Sequence, residues 1–181
     1  MSHLTDDIRA DYARRFPDRR VSARQVIKLC LQQPGMLACV ILRVQQACSR
    51  KHLNGLANLC RTINLAATSA DFLPGCVIGA GLRVEHPAGI VVGQHAIVGA
   101  NCTLLQQATL GELYGDGREP HDYPVLEDGV VVGAGARVLG GVRIGARALI
   151  GANAVVLTDV PADATAVGIP ARVLPANPDT G

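Results

Sequence analysis

The sequence contains no tryptophan, and aromatic residues make up only 3% of its 181 residues, although 49% are hydrophobic. A core built around large rings is therefore excluded, and aliphatic side chains in a regular arrangement have to provide the burial. No apolar run approaches the roughly 18 residues that a membrane-spanning helix needs, and the start of the chain is polar and acidic, unlike a signal peptide. These absences predict a soluble, cytoplasmic protein of about one domain.

The chain also lacks a strong charge of one sign and any cysteine pair spaced for a metal. A formal net charge of +2, with no Lys or Arg residues interleaved with aromatics, argues against nucleic acid as a partner. The six cysteines include no Cys-x-x-Cys pair, which favours small core side chains in a reducing compartment over disulfides or a metal site. Asp11 and Asp18 lie among five arginines, and this mixture of opposite charges predicts a solvated helix face. The arginines are Arg14, Arg15, Arg19, Arg20 and Arg24.

A six-residue repeat runs from Phe72 to Val156 and organises the aliphatic residues. With a two-residue slip near Ile90, its aliphatic positions are Ile78, Val84, Val92, Val98, Leu104, Leu110, Leu126, Val132, Val138, Ile144, Ile150 and Val156. Small residues fill the fifth place, at Cys76, Ala96, Cys102, Ala108, Ala136, Ala148 and Ala154. A period of six fits neither a helix nor a simple strand and is typical of a parallel β-helix with three-sided coils.

The first seventy residues carry a helical pattern instead. Apolar residues spaced four apart predict a first helix, namely Leu4, Ile8, Tyr12 and Phe16. This helix should start near Thr5 and end at Pro17, and a second should start at Ser22 and break at Pro34. Two more helices are predicted over residues 36–49 and 53–65.

Together the two patterns predict a mainly β protein with an N-terminal α-helical cap. The helical segment covers residues 1–70, the β-helix residues 71–175 and a tail residues 176–181. We expect the cap to cover the first coil, because an open strand edge invites pairing with other chains. Prolines between residues 161 and 175 should end the coil, since proline cannot donate a ladder hydrogen bond. Flat apolar coil faces also predict an oligomer.

Functional groups are expected where the repeat is interrupted, because irregular loops on a rigid scaffold commonly hold them. Glu85 and His86 form the first interruption, just before the slip. Residues 111–124 form the second, which is rich in glycine and ionisable groups. From spacing alone, His86 could serve in catalysis or could merely cap a turn.

Four segments carry a specific resemblance: 85–93 (EHPAGIVVG), 105–111 (LQQATLG), 132–140 (VGAGARVLG) and 165–172 (TAVGIPAR). With them, the stretch from Asp71 to Val173 resembles the serine acetyltransferase family. The hexapeptide repeat alone is shared with many acyltransferases and with some non-catalytic proteins. It is therefore the four segments in this order that distinguish the serine acetyltransferase family from other hexapeptide-repeat proteins.

The resemblance implies a left-handed parallel β-helix that forms a homotrimer, with acetyl-CoA as cosubstrate in the groove between neighbouring subunits. Whether trimers pair further through the helical caps stays open. Gly111, Ala134 and Ala152 would line the acyl-CoA groove, and Gly168 and Arg172 would lie near its nucleotide end. The resemblance implies no metal.

The resemblance also implies catalytic roles. His86 would be the general base that takes the proton of the acceptor hydroxyl as its oxygen attacks the thioester carbonyl, a role that suits imidazole near neutral pH. The carboxylate of Asp71 would orient the imidazole. Glu85 and Gln106 would help to hold the acceptor.

The chain departs from the family pattern after the loop, where Asp122-Tyr123-Pro124 replaces Arg-His-Pro. That position loses both the guanidinium that holds the carboxylate of serine and the second catalytic imidazole, so the acceptor is serine or another small hydroxylated compound. His121 or Tyr123 could take the vacant place, or neither could. The chain also ends in Asp-Thr-Gly instead of the isoleucine with which family members dock into cysteine synthase, so this partner is not expected.

Three functions of different classes follow. O-acetyl transfer from acetyl-CoA is favoured by the resemblance. Glu112, which replaces a glycine beside the thioester site, keeps open a different acyl donor or an amine acceptor. A non-catalytic hexapeptide-repeat protein that binds a partner is the third.

Overall fold

The computed structural model describes residues 2–17, 22–113 and 122–174. Four helices come first in chain order: α1 (Ser2–Arg15), α2 (Ala23–Gln32), α3 (Pro34–Arg50) and α4 (Asn54–Thr68). Ser22 caps α2 as predicted, through a capping box in which its side chain and that of Gln25 bond reciprocally to the backbone. Within the described ranges, no helix is long and apolar enough to cross a bilayer.

Two predicted helix boundaries are wrong. Helix α1 begins at Ser2 and thus before Thr5, which lies inside the helix and does not cap it. The predicted break of the second helix at Pro34 is confirmed, since α2 ends at Gln32, but α3 begins at Pro34 itself and not at Met36. The first turn of a helix leaves its N–H groups unbonded and so tolerates proline. Gly35 follows because α3 touches the coil there: an added Cβ would lie 2.2 Å from the carbonyl oxygen of Val84.

The described residues 71–113 and 122–174 form short strands in three sheets. The strands are β1 (Asp71–Phe72), β2 (Val77–Ile78), β3 (Arg83–Glu85), β4 (Val91–Val92), β5 (Ile97–Val98), β6 (Thr103–Leu105), β7 (Thr109–Gly111), β8 (Val125–Leu126), β9 (Val131–Val132), β10 (Arg137–Leu139), β11 (Arg143–Ile144), β12 (Leu149–Ile150), β13 (Val155–Val156), β14 (Thr165–Val167) and β15 (Arg172–Leu174). Sheet A has the order β1-β4-β7-β10-β13, sheet B β11-β8-β5-β2 and sheet C β15-β14-β12-β9-β6-β3. The parallel pairing of strands one coil apart confirms the predicted β-helix.

The six-residue repeat identifies the core correctly. Every predicted aliphatic position from Ile78 to Val156 is buried, and so is every predicted small position from Cys76 to Ala154. Aliphatic side chains stack on one another in register on successive coils, as Val92 does with Leu110. Branched side chains suit this stack because few rotamers are open to them, so little freedom is lost on packing.

The two ends of the coil are closed differently. At the first coil, Ala38 and Cys39 of α3 share one hydrophobic core with Phe72 of β1, so the helical segment covers this end as predicted. At the last coil, β15 turns back and pairs antiparallel with β14. The sequence predicted an end at the prolines but not this hairpin.

Three of the six free cysteines, Cys39, Cys76 and Cys102, are buried. Burial raises the pKa of the Cys39 and Cys76 thiols to about 12 and that of Cys102 to about 11. Because the thiolate is the form that reacts, we expect iodoacetamide at pH 8 to spare these three in the folded protein. Mass spectrometry should find at most three adducts before unfolding in guanidinium and six after it. Four or more adducts on the folded chain would contradict this burial.

Candidate active site

The first interruption of the repeat projects His86 from a corner of the coil. Five residues, 86–90, connect β3 to β4, whereas three, 106–108, make the same connection from β6 to β7. The two extra residues are the slip seen in the sequence, and they displace the chain outward. His86 has a left-handed φ of 53° and an exposed side chain. A left-handed φ is uncommon for a residue other than glycine, which marks this corner as one that the surrounding coil holds in place.

Successive coils stack above His86 and form an edge that we call the His86 corner, residues 86–90, 106–108, 133–136 and 151–154. Its backbone bonds run from Gln107 N–H to Ala88 O (2.9 Å), from Gly135 N–H to Gln106 O (2.9 Å) and from Asn153 N–H to Ala134 O (2.8 Å). The structure therefore brings His86, Gln106, Ala134 and Ala152 onto one edge of the coil.

Gln106 carries a polar atom that the protein does not satisfy. Its side-chain Oε1 is buried and accepts no hydrogen bond from the described residues. A buried acceptor without a partner costs about 1–3 kcal/mol. Because this atom is closed to solvent in the single chain, it would bond to a ligand only after the amide turns outward, and the acceptor-binding role of Gln106 stays a prediction.

A cleft of about 280 Å³ opens beside His86, where the helical cap meets the first coil. Its walls are Arg15, Gln32, Gln33, Pro34, Gly35, Val84, Glu85, His86 and Pro87. The volume lies just below the 300 to 1,000 Å³ range typical of small-molecule sites and fits a small metabolite. A larger polar cavity of about 500 Å³ next to Arg61 is not lined by His86. We therefore assign the candidate active site to the smaller cleft.

Glu85 lies in this cleft between two guanidinium groups. Arg83 Nε donates to its Oε1 at 2.5 Å, and Arg15 Nη2 approaches the same oxygen at 3.4 Å. Burial acts to raise the pKa of the carboxyl, but the hydrogen bond from Arg83 and the charges of Arg15 and Arg83 outweigh it and hold the pKa below its ordinary value. Glu85 is therefore a carboxylate at neutral pH.

Arg15 corrects one prediction. It was placed on a solvated helix face, yet its side chain is only 13% exposed and forms part of the cleft wall. Its Nη2 donates to the carbonyl oxygen of Val84 at 2.6 Å, and its Nη1 donates to Gln33 Oε1. The mixed charges around it in the sequence cannot reveal that α1 packs this residue against the coil.

Asp71, the predicted orienting carboxylate, is held by a residue that the sequence did not single out. Arg61 of α4 binds both of its oxygens, with Nε–Oδ1 at 2.6 Å and Nη2–Oδ2 at 2.7 Å. The backbone N–H of Asp71 donates to Ile90 O at 2.8 Å, so its strand begins against the end of the extruded segment that carries His86. Among the described residues, no hydrogen bond joins Asp71 to His86, and the orienting role stays a prediction.

The other predicted cofactor residues lie farther along the coil. Gly111 ends β7, where an added Cβ would make only ordinary contacts, 3.5 Å from Leu139 Cδ2. Packing therefore does not require a glycine at position 111. Gly168 and Arg172 are exposed in the terminal hairpin, and the Gly168 carbonyl accepts a hydrogen bond from Val155 N–H at 3.0 Å.

Tyr123 lies at a different corner, between sheets A and B, which we call the loop corner (residues 73–76, 93–96, 112–113 and 122–124). Its ring packs over Gly93, where an added Cβ would come within 2.2 Å of Cε1. Its hydroxyl donates to Glu112 Oε2 at 3.1 Å, and the ring of His95 packs edge-on against it at 5.4 Å between centroids. Within one chain, Tyr123 and His86 thus occupy separate corners of the coil.

The remaining predicted residue, His121, lies outside the described residues, as does the tail at 176–181. In the ranges that the structure covers, no cluster of three or more His, Cys, Asp or Glu side chains could hold a metal ion.

A family model described as bacterial transferase hexapeptide (six repeats) matches residues 123–158. This match covers the later coils and supports the six-residue repeat, but it does not include His86.

Longer matches come from individual proteins. A serine acetyltransferase of Synechococcus elongatus is 40% identical over 158 residues, which cover 87% of this chain and 64% of the relative. One of Helicobacter pylori strain J99 is 36% identical over 154 residues, covering 84% of this chain and 88% of the relative. The crystal structure of Neisseria gonorrhoeae serine acetyltransferase superposes with a TM-score of 0.85 at 30% identity, covering 99% of this chain and 68% of that one. The chain thus spans less than two thirds of the cyanobacterial relative.

Proposed function

We propose, since the chain belongs to the serine acetyltransferase family, that it transfers the acetyl group of acetyl-CoA to the hydroxyl oxygen of serine or of another small acceptor. The observation that carries this proposal is the exposed imidazole of His86 in a small cleft next to the Glu85 carboxylate. Among the side chains, imidazole is the one most often used to accept and return a proton in catalysis.

The reaction moves one proton twice. His86 removes the proton of the acceptor hydroxyl while the oxygen forms a bond to the thioester carbonyl carbon, which gives a tetrahedral intermediate. The carbon–sulfur bond then breaks, and the imidazolium gives its proton to the departing thiolate. The products are an O-acetyl ester and the free thiol of CoA, so no other reactant is needed.

In this proposal acetyl-CoA lies along the His86 corner. Ala134 is half-buried and Ala152 is exposed, so small side chains form the surface above His86 and leave room for a ligand. Gly111 would lie near the thioester. The exposed guanidinium of Arg172, in the terminal hairpin near Gly168, would suit the phosphates of the nucleotide.

Asp71 is proposed to orient the imidazole of His86 from its place against Arg61. A carboxylate has about four lone-pair sites, and Arg61 uses two of them. The remaining sites can accept a hydrogen bond from the one N–H of the neutral imidazole, which leaves the other ring nitrogen unprotonated to act as the base.

A homotrimer is proposed because one chain leaves the candidate groups divided. Tyr123 lies at the loop corner and His86 at the His86 corner, so only a neighbouring subunit could place the two in one site. The second catalytic group remains either His121 or Tyr123, or neither. The Glu112 carboxylate already accepts a hydrogen bond from the Tyr123 hydroxyl, which favours a positioning role for that phenol.

The test is release of CoA thiol from acetyl-CoA in the presence of serine, homoserine, threonine or hydroxylated sugars. We expect release that depends on a hydroxylated acceptor, together with a product heavier than the acceptor by one acetyl group in mass spectrometry. Release only with amines, or only with longer acyl-CoAs, would favour the altered acyltransferase. Absence of any CoA binding in calorimetry would favour the non-catalytic hexapeptide protein.

A further inference from the structure

Arg61 holds the carboxylate of Asp71 through a paired contact on one edge of its guanidinium. Nε and Nη2 lie on the same edge and donate to Oδ1 at 2.6 Å and to Oδ2 at 2.7 Å. The terminal torsion of an aspartate is broad by itself, and two parallel hydrogen bonds fix the plane of the carboxylate as well as its position. The Asp71 side chain is only 16% exposed, so solvent competes with this contact only in part.

Arg61 lies on a part of α4 that is itself firmly held. Further along the same helix, Asn64 Nδ2 donates to the carbonyl oxygen of Ala38 in α3 at 3.0 Å. The hydroxyl of Thr68 lies 2.8 Å from Asn64 Oδ1 and accepts the backbone N–H of Ala70 at 3.3 Å. Asn64 and Thr68 are both buried, so water does not compete for these bonds. The guanidinium is therefore presented from a fixed support.

The backbone of Asp71 is tied to the five-residue connection that carries His86. Its N–H donates to the carbonyl oxygen of Ile90, and the N–H of Gly89 donates to the carbonyl oxygen of Ser69, both at 2.8 Å. The start of β1 is thus bonded at two points to the end of this connection. A contact that fixes the carboxylate of Asp71 therefore fixes it relative to the chain that bears the imidazole.

We infer that Arg61 is a positioning residue for acetyl transfer, which clamps Asp71 so that this carboxylate receives the N–H of the His86 imidazole and the other ring nitrogen faces the acceptor hydroxyl. This inference rests on the proposed function and on the orienting role proposed there for Asp71. The resemblance supplies roles for Asp71 and His86 but none for a residue of α4. Arg61 acts through Asp71 and takes no part in the proton transfer.

The guanidinium also has an electrostatic effect, opposite in sign to that of the carboxylate. A carboxylate near an imidazole favours the protonated ring, whereas a positive charge disfavours it, so Arg61 offsets part of the effect of Asp71. Among the described residues, the other charged groups of the cleft are Arg15 and Glu85, and Arg83 pairs with Glu85. These three stay in place when Arg61 or Asp71 is replaced. The pH at which the imidazole titrates therefore reports on the Arg61–Asp71 pair.

The experiment measures the pH dependence of thiol release in wild type, Arg61→Met and Arg61→Lys, with the acceptor that gives the fastest release. We expect Arg61→Met to lower kcat about 10- to 100-fold with little change in KM, because a misplaced catalytic group slows the chemical step. The fall of kcat/KM at low pH, where the imidazole is protonated, should move to higher pH, because the charge of Asp71 is no longer offset.

Arg61→Lys separates geometry from charge. Lysine keeps the positive charge but lacks the planar pair of donors, so its kcat should fall while the low-pH limb stays near that of wild type. Circular dichroism checks that each variant is folded, and Arg61→Lys carries the test if Arg61→Met does not fold. Wild-type kcat in Arg61→Lys or in a folded Arg61→Met would overturn the inference.

Two comparisons separate positioning from packing. Arg147 binds Asp163 through two contacts at 2.6 Å on the last coils, and Arg147→Met should change neither kcat nor the low-pH limb. When Asp71→Asn is already present, Arg61→Met should add little to the loss, because Arg61 acts only through that carboxylate. Losses that add, or a lower kcat in Arg61→Met with an unmoved low-pH limb, would make Arg61 a packing residue of α4 and overturn the inference.

An NMR titration of the histidine rings without substrates distinguishes failure of this inference from failure of the proposed reaction. The His86 signals are assigned by their loss in His86→Asn. We expect the titration midpoint of this ring to rise in Arg61→Met and to fall in Asp71→Asn. If both shifts occur and no acceptor supports thiol release, the transferase proposal fails while the coupling of Arg61 to His86 stands. If thiol is released and neither shift occurs, the reaction stands and the Arg61 assignment fails.

Discussion

Replacing His86 with alanine is expected to lower kcat/KM for acetyl transfer by about 100-fold or more while the protein stays folded. A positioned general base typically contributes about 10² to 10⁴ in rate, and the exposed imidazole is the one titratable nitrogen that lines the cleft apart from Arg15. Because its side chain projects into solvent, its removal leaves no cavity in the core. Thiol release measured at saturating acetyl-CoA gives the rate, and circular dichroism gives the fold.

The left-handed backbone of His86 requires a second variant. Alanine is disfavoured at a φ of 53°, whereas asparagine tolerates it and has no basic nitrogen, so His86→Asn should lose activity equally without strain. His52 offers a matched control, because it is also an exposed histidine with a left-handed φ, of 57°, but lies in the turn between α3 and α4. His52→Ala and His52→Asn should turn over as wild type does. Near wild-type turnover in both His86 variants would end the proposal that this imidazole is the base.

The sequence predicts the coil well because each position of the repeat reports its own environment. An aliphatic residue every six positions, as at Val92 and Leu110, requires the same inward site on successive faces, and the structure stacks these residues in register. The two-residue slip likewise locates the extruded corner at His86, since added residues in a fixed coil can only move outward. The local sequence pattern was therefore sufficient to predict both the stacked core and the position of the corner at His86.

The contacts of the helical cap with the coil could not be predicted in this way. Arg15 contacts Val84, and Arg61 contacts Asp71, between a helix and a coil whose sequence patterns are independent. A charged residue on a predicted helix has the same appearance whether solvent or a carboxylate faces it. The candidate site depends on these contacts, so the resemblance could predict a catalytic role for His86 but not which side chains surround it.

The cap acts on the site through its attachment to the first coil. The carboxylate of Asp11 in α1 and the guanidinium of Arg43 in α3 form a bidentate ion pair, with both contacts at 2.8 Å and both side chains fully buried. Asp11 also accepts the backbone N–H of Leu82, and Arg43 donates to the carbonyl oxygens of Ile78 and Gly79. One ion pair thus joins two helices to the coil that leads into β3 and His86.

Arg43→Met is therefore expected to lower the free energy of unfolding by about 3–5 kcal/mol, because it leaves the Asp11 carboxylate buried without its counter-ion. Urea unfolding followed by circular dichroism measures the change. Arg147→Met is the matched control, since Arg147 also binds an aspartate through two contacts, both at 2.6 Å to Asp163, but at the surface. Exposed pairs contribute little, so its urea midpoint should stay near wild type.

A double replacement separates the cost of an unpaired charge from the value of the pair. If most of the loss in Arg43→Met comes from the stranded carboxylate of Asp11, then Asp11→Leu combined with Arg43→Met should regain much of the stability that Arg43→Met alone loses. If the double variant is instead less stable than either single variant, the hydrogen bonds to Leu82, Ile78 and Gly79 hold the cap, and the charge is secondary. In both cases the cleft at His86 should lose activity in parallel with stability, because Arg15 reaches it only while α1 stays docked on the coil.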